Sequence, residues 1–465
     1  MWLARGDVWG FCGHHYSRAP DCAPGNASVD ASHRLTQRAA SLIEDGIMTE
    51  DGIEAIASRL GVTDRHLRRV FHDQFGVSPV EFAQTQRLLL AKRLLTDTAS
   101  SVTDIAFAAG FGSLRRFNAL FKSRYRLSPK QLRKTPPRSD SPDVLSFELG
   151  FRPPYDWSAL LEFLADRGIS GVEQVDTFSY RRTIRLTRDG MPHTGWIEVA
   201  EVKRKPVLRV HVSSSLIKVI PAVLSRVKHL MDLSSHPAEI ADALGPLASA
   251  NPGLRVPGAF DGFEIAVRAI LGQQVSVAAA RTMAGRFAAA FGTRIESPCA
   301  GLNTIFPSAE EVTNLNVDDI AKLGVIAARA RSILELARSI AGGALVLTPG
   351  VDVAQTVARL RALSGIGQWS AQYIAMRALA WPDAFPHTDL GVMKALGERD
   401  PRRVLAASDA WRPWRAYAAM HLWAAYRRKI IIQGEDNGTP DRSGRFADWN
   451  NSPGVRRPGI ARAGL

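Results

Sequence analysis

Hydrophobic positions change period along the chain, and the changes mark its parts. Between Ala31 and Lys134 a helical pattern occurs twice. Ile56-Ala57-Ser58-Arg59-Leu60-Gly61-Val62 returns as Ile105-Ala106-Phe107-Ala108-Ala109-Gly110-Phe111, 49 residues later. Leu67-Arg68-Arg69-Val70-Phe71 returns as Phe117-Asn118-Ala119-Leu120-Phe121, and Phe75-Gly76-Val77-Ser78-Pro79 as Tyr125-Arg126-Leu127-Ser128-Pro129. Each copy reads as a short helix, a glycine turn and a second helix. Between the copies, Val80–Leu95 is amphipathic, with Phe82, Leu88, Leu89 and Leu94 as core candidates. From 146 to about 234 the period falls to two in several places. Phe147–Phe151, Ser179–Leu186, Thr194–Val202 and Pro206–Ser213 read as strands. Tyr155–Arg167, capped near Asp156 or Ser158, and Leu216–Leu233 read as helices. A small antiparallel sheet with helices on one face is expected there. The stretch 235–433 reads as helical.

The rest lacks a period. Residues 1–30 read as a loop or remnant, 135–145 as a Pro- and Ser-rich linker, and 434–465 as a disordered tail. The parts on either side of the linker are expected to move independently. The fold class that follows is multidomain and mainly α. It comprises a tandem helix-turn-helix domain, a small α+β lobe and an all-α core.

Composition sharpens this. The chain has 465 residues, enough for about three domains at the usual size. A net charge of +14 suits a polyanionic partner. Residues 31–135 hold 17 Lys and Arg against 10 Asp and Glu, or +7, so half the excess lies in under a quarter of the chain. The three cysteines, Cys12, Cys22 and Cys299, support neither a disulfide framework nor a four-cysteine metal site. No apolar run approaches 18 residues and no signal peptide is read at the N-terminus, so a cytoplasmic, nucleoid-associated protein with no membrane partner is expected.

Candidate chemistry gathers between Arg361 and Lys394. Gly365, Ile366 and Gly367 form a tight hairpin before a helix over Gln368–Leu379. Glycines there permit positive φ and uncover backbone N–H groups, and the helix start favours an anion. A bare Gly-x-Gly is also an ordinary turn between helices. Further on, Phe385-Pro386-His387-Thr388-Asp389-Leu390-Gly391 sets one carboxylate before a helical pattern. Asp389 is a good N-cap, yet a carboxylate repels a phosphate backbone held beside it, which calls for a task.

LSGIGQWSAQY followed by DAFPHTDLG resembles the helix-hairpin-helix DNA glycosylases. The resemblance implies that the hairpin Gly365, Ile366 and Gly367 holds the DNA backbone and that Asp389 drives base excision. It places Trp369, Tyr373 and Trp423 in the base pocket. Arg152-Pro153-Pro154-Tyr155-Asp156-Trp157 resembles the N-terminal lobe of 3-methyladenine DNA glycosylase II, which puts Phe163 beside that pocket. Ile270-Leu271-Gly272-Gln273-Gln274 matches the turn that enters the minor groove, with Gln274 as the wedge where some relatives carry an apolar residue. Bifunctional relatives carry a lysine where Trp369 stands, so a monofunctional enzyme leaving an abasic site is expected. Leu390 replaces a tyrosine common after the aspartate. The implied substrates are alkylated purines such as 3-methyladenine and 7-methylguanine; a uracil or mismatch glycosylase is the alternative within the class. No cofactor is implied, beyond a monovalent cation that the hairpin's backbone carbonyls could take.

The tandem repeat resembles an AraC-type DNA-binding domain. Arg65, Arg68, Arg69, Arg115, Arg116 and Asn118 stand where base contacts are made, arginine suiting guanine and asparagine adenine. Partners implied are double-stranded DNA, as damaged duplex and as promoter, and RNA polymerase. The segment 1–30 faintly resembles the end of the zinc-bound alkyl-acceptor module of adaptive-response regulators; with two of the four cysteines, a degenerate remnant without metal is expected. A second reading makes the whole chain a regulator whose glycosylase-like part only senses damage.

Overall fold

The computed structural model describes residues 52–97, 100–133, 143–188 and 190–436, with single positions between 32 and 43. The remnant read over 1–30 and nearly all of the linker and the tail lie outside the described residues. Among the described residues no helix is long and apolar enough to cross a membrane.

Both helix-turn-helix copies form as their repeat dictates. Ile53–Arg59 and Asp64–Phe75 make the first pair, Val102–Ala108 and Leu114–Tyr125 the second. Gly61 and Gly110 turn each pair at φ +69° and +85°, a region open to glycine. Thr63 and Ser113 cap the second helices, accepting from the backbone N–H groups of His66 and Arg116. Arg65, Arg68, Arg69, Arg115, Arg116 and Asn118 are all exposed. Helix Pro79–Asp97 joins the copies. It buries Leu88 and Leu94 but exposes Leu89, against expectation. Leu88-Leu89-Leu90 are consecutive, and one helix face cannot hold three residues spaced about 100° apart.

The lobe is a five-stranded antiparallel sheet. Its strands are β1 (Val144–Gly150), β2 (Glu173–Val175), β3 (Ser179–Arg188), β4 (Met191–Glu201) and β5 (Val207–Ser213), in the order β1-β5-β4-β3-β2. The short edge strand β2 was missed by the sequence reading. Phe147 pairs with Val210 and Tyr180 with Val199, which fixes the register. Helix Trp157–Arg167, capped by Asp156, crosses this lobe.

The two expected movers are not separate. The first copy has its own core around Ile56, Leu67 and Phe71. The second copy does not: Phe117 and Phe121 belong to one continuous core with Phe147, Leu149 and the sheet. Arg93 donates to the Glu148 carbonyl and lies over the Phe147 ring at 5.9 Å. An apolar contact of this kind opposes free motion, since each fully buried phenylalanine contributes about 1.5–3 kcal/mol.

The helical part packs on the lobe through a buried ionic cluster. Arg182 Nη2 donates to Glu264 Oε2 at 2.6 Å, and Arg268 Nη1 donates to Glu173 and Glu264 at 2.8 and 3.0 Å. The Tyr180 hydroxyl donates to Glu173 at 2.6 Å. Such charges are tolerated inside only when paired this closely. The final helix, Arg415–Asp436, runs three residues past the boundary set at 433.

Candidate active site

Asp389 opens helix Leu390–Leu396 and accepts the backbone N–H of Val392 at 3.0 Å. The same carboxylate has a second task. Oδ2 accepts the indole N–H of Trp369 and Oδ1 that of Trp423, both at 2.8 Å. Three donors converge on one half-buried acid. Trp369 and Tyr373 share a face of helix Gln368–Ala378, one turn apart, and stack at 5.2 Å and 10°. Tyr373 lies 6.4 Å from Trp423, and Phe163 lies 6.4 Å from Trp423 at 24°. The four aromatics named from the sequence therefore form one cluster beside Asp389. Leu390 is 43% exposed.

The approach between Asp389 and Trp423 depends on Gly391. A Cβ there would lie 3.1 Å from Asp389 Oδ1 and 3.1 Å from Trp423 Cδ1. The sequence reading had not singled out this glycine.

The hairpin lies at the start of the same helix. Gly365 has φ +78°, and a Cβ on it would fall 2.2 Å from Ser332 Oγ. Gly367 does not share this conformation: its φ of −82° is open to any residue, contrary to the expectation for both glycines. The Ile366 side chain is buried and its N–H bonds the Leu363 carbonyl, which leaves that amide occupied. Gly367 is exposed and is an N-cap without a side-chain partner. Gln273 Nε2 donates to the Gly365 carbonyl at 2.7 Å and to Ser370 Oγ at 2.9 Å. This bond ties the hairpin to the turn that carries Gln274, which is exposed at φ +54°. Arg329 donates to the Gln273 carbonyl from the other side.

Two further basic side chains of the final helix are buried. Arg415 pairs with Asp383 at 2.6 Å and is buried. His421 is buried, and that burial lowers it to about 4. A cavity of about 240 Å³ lies elsewhere, lined by Pro154, Ile240, Leu254, Arg255 and His421. Among the described residues no group of three His, Cys, Asp or Glu is placed to hold a metal.

Three families match successive parts of this chain. They are the AlkA N-terminal domain over residues 146–261, a helix-turn-helix domain over 56–135, and the HhH-GPD superfamily of base excision DNA repair proteins over 267–400. A relative from Mycobacterium tuberculosis described as a probable bifunctional transcriptional activator/DNA repair enzyme AlkA is 35% identical over 426 residues, covering 88% of this chain and 84% of the relative. DNA-3-methyladenine glycosylase 2 of Escherichia coli is 34% identical over 277 residues, covering 60% of this chain and 96% of its own. The 3-methyladenine DNA-glycosylase from Archaeoglobus fulgidus shares the fold, with a TM-score of 0.51 at 20% identity over 60% of this chain and 98% of that one. The chain belongs to the AlkA family of HhH-GPD base excision DNA repair proteins, in the form that carries an N-terminal helix-turn-helix domain.

Proposed function

We propose that this protein excises alkylated purines from DNA by hydrolysing the N-glycosidic bond, and that its helix-turn-helix domain binds promoter DNA. One observation carries the chemistry: a carboxylate clamped by two indole N–H groups inside an aromatic cluster, one of those indoles standing on the helix that follows a glycine hairpin. The target nucleotide must leave the stack before its bond can break. The exposed Gln274 fills the gap it leaves, and the exposed amide end at Gly367 grips a strand phosphate. Trp369, Tyr373, Trp423 and Phe163 receive the base by stacking and cation–π attraction, about 0.5–2 kcal/mol per ring.

An alkylated cationic purine leaves as a neutral molecule, so the sugar needs the help. Asp389 stabilises the oxocarbenium-like carbon and orients the attacking water. The side chains that bond Asp389 are two tryptophans, and no amine lies among them to form a Schiff base. The product is then an abasic site in an uncut strand. The reaction calls for no cofactor; a monovalent cation would use hairpin carbonyls other than that of Gly365, which Gln273 occupies. The exposed arginines of the second helices read the promoter, and RNA polymerase is the expected further partner. In a protein that only sensed damage, Asp389 would keep its N-cap and indole bonds but would have no reacting sugar to serve.

The test incubates the full chain with duplexes carrying 3-methyladenine, 7-methylguanine or uracil, and measures free base. Alkylpurine release that drops at least about 100-fold in Asp389→Asn supports the reading. Equal release by both proteins ends it, and strand breaks without heat or alkali end the monofunctional part.

A further inference from the structure

The helix-turn-helix domain is fixed to the glycosylase at two separate places. Its second copy shares a core with the lobe: Phe111, Phe117 and Phe121 are buried in one cluster with Leu145, Phe147 and Leu149 of β1. Helix Pro79–Asp97 lies against β1, and helix Val102–Ala108 lies against the short helix Ser214–Val219 that follows β5. Arg93 bonds the Glu148 carbonyl across the first of these contacts. The other end of the domain is held by the helical part. Arg38, ahead of the first copy, donates from Nε to the carbonyl of Gly350, 312 residues on, in the loop before helix Val353–Ala362. Burial lowers the Arg38 guanidinium, and the charge of Asp352 opposes that shift.

A body held at one place pivots about it, whereas a body held at two does not. Here one place is the lobe and the other is the helical part. Those two are themselves locked together by the buried bonds of Arg182 and Arg268 to Glu173 and Glu264. Close-packed interiors transmit position rather than absorb it. The orientation of the helices around Asp389 is therefore carried through to the second helices of the DNA-reading domain.

The duplex is also stiff. Its persistence length is about 150 bp, so a few tens of base pairs behave as a rod. One face of that rod returns about every 10.5 bp. A rigid protein bound at one site on a rod reaches a second point only at set distances and on one face. A flexible tether would reach every face, with an effective concentration that falls smoothly with distance.

We infer that the helix-turn-helix domain and the glycosylase act on DNA as one body, so that excision near a bound recognition sequence is selected by the lesion's distance and helical phase from it. The domain is then a specificity determinant of excision as well as a promoter binder. This rests on both readings proposed above, excision and promoter binding. In phase, both surfaces engage one duplex and binding gains. Out of phase, geometry forbids the second contact and the gain is lost.

The test uses the full chain, which first selects a preferred sequence from a random duplex pool. One 7-methylguanine is then set at successive positions from about 10 to about 40 bp from that sequence, spanning about three helical turns, and single-turnover base release is measured at each. Release should rise and fall with a period of about 10.5 bp, its peaks at least about tenfold above its troughs. The same series beside a scrambled sequence should be flat. Hydrogen exchange on the DNA-free protein gives an independent measurement. Helix Leu114–Tyr125 should share the protection of β1 and open with it as one unit. A flat profile, a smooth decay without period, or a period that survives scrambling overturns the inference and leaves excision standing. So does exchange in helix Leu114–Tyr125 about 100-fold faster than in β1, the mark of separate units. A pool that yields no preferred sequence overturns promoter binding and this inference with it. No release from any duplex overturns the excision reading.

Discussion

The indole N–H of Trp369 donates to one oxygen of Asp389 at 2.8 Å, and this bond ties the hairpin helix to the carboxylate 20 residues on. The other oxygen serves Trp423 and the N-cap. Asparagine keeps one acceptor and turns an N–H₂ group toward the second indole, leaving a donor facing a donor. Asp389→Asn should therefore lose about 1–3 kcal/mol of stability beyond its loss of activity, as for any half-buried donor left unpaired. Adding Trp369→Phe removes the stranded donor. A double-mutant cycle by urea denaturation should give a coupling of at least about 0.5 kcal/mol between the two positions. Additive losses would mean that the bond contributes nothing to the fold.

Gly391 separates stability from activity. It lies in the first turn of helix Leu390–Leu396, where alanine is the better helix former by about 1 kcal/mol. The added Cβ would press on Asp389 Oδ1 and Trp423 Cδ1, both at 3.1 Å. Gly391→Ala should melt within a few degrees of the parent and lower the excision rate constant about tenfold or more, because small misplacements at a reacting centre are costly. A variant as active as the parent would show that the carboxylate tolerates being moved.

Much of this was legible in the chain, and the rest was hidden for identifiable reasons. The tandem repeat, four of the five strands and Asp389 follow from local pattern. Trp369 and Tyr373 share a face because they are four apart on one helix. The Trp423 bond spans 34 residues and the Arg182–Glu264 bond 82, and pairs at that distance leave no period behind. Arg377 reads as one cation on a helix until Gly258, 119 residues earlier, is folded against it. The shared core of Phe117 and Phe147 was masked by the linker between them, whose composition says nothing about what its ends bury. Glycine identity alone gave no way to tell Gly365 from Gly367, since only the first has positive φ.

Gly365 should prove hard to replace. Alanine there meets Ser332 Oγ at 2.2 Å and must adopt φ +78°. The strain is about 1–3 kcal/mol, so Gly365→Ala should lower the denaturation midpoint. Because Gln273 bonds the same peptide, the variant should also weaken binding to a duplex with an abasic site. Adding Ser332→Ala relieves the contact and leaves the φ strain, so it should restore part of the stability. Full restoration would mean that strain at Gly365 is negligible.

The second helices should carry sequence preference and the hairpin should not. Arg68 pairs with Asp64 at 3.6 Å and Arg69 bonds His66 at 3.2 Å, so the first helix presents partly ordered side chains. Arg65 and Arg115 stand at the exposed starts. Loss of either should weaken promoter binding by about 1–3 kcal/mol if it reads a base, and should lower binding alike on all sequences if it meets only phosphate. Binding to selected and scrambled duplexes at fixed salt separates the two. Excision from unrelated duplex should change far less than promoter binding does.

Acid should destabilise the protein through two buried histidines. Burial lowers His229 from 6.5 to about 4, helped by the charges of Arg377 and Arg226 and opposed by its bond to the Arg377 carbonyl. Burial likewise lowers His421 to about 4. Each imidazole stays neutral in the fold while the unfolded chain takes up a proton, so each contribution is full above pH 6.5 and lost as the pH falls toward about 4. Asp232 works in the other direction. Burial raises it from 3.8 to about 6, so its contribution is greatest below 3.8 and is lost as the pH rises through about 6. Two groups oppose one across nearly the same window, at about 1.4 kcal/mol for each pKa unit. The net result should be a falling melting temperature from pH about 7 to about 4.5. Removing a histidine should flatten the curve, and removing Asp232 should steepen it. Thermal melts of His421→Gln and Asp232→Asn across this range check both signs. Parallel curves for parent and variants would show that these buried groups do not govern acid stability.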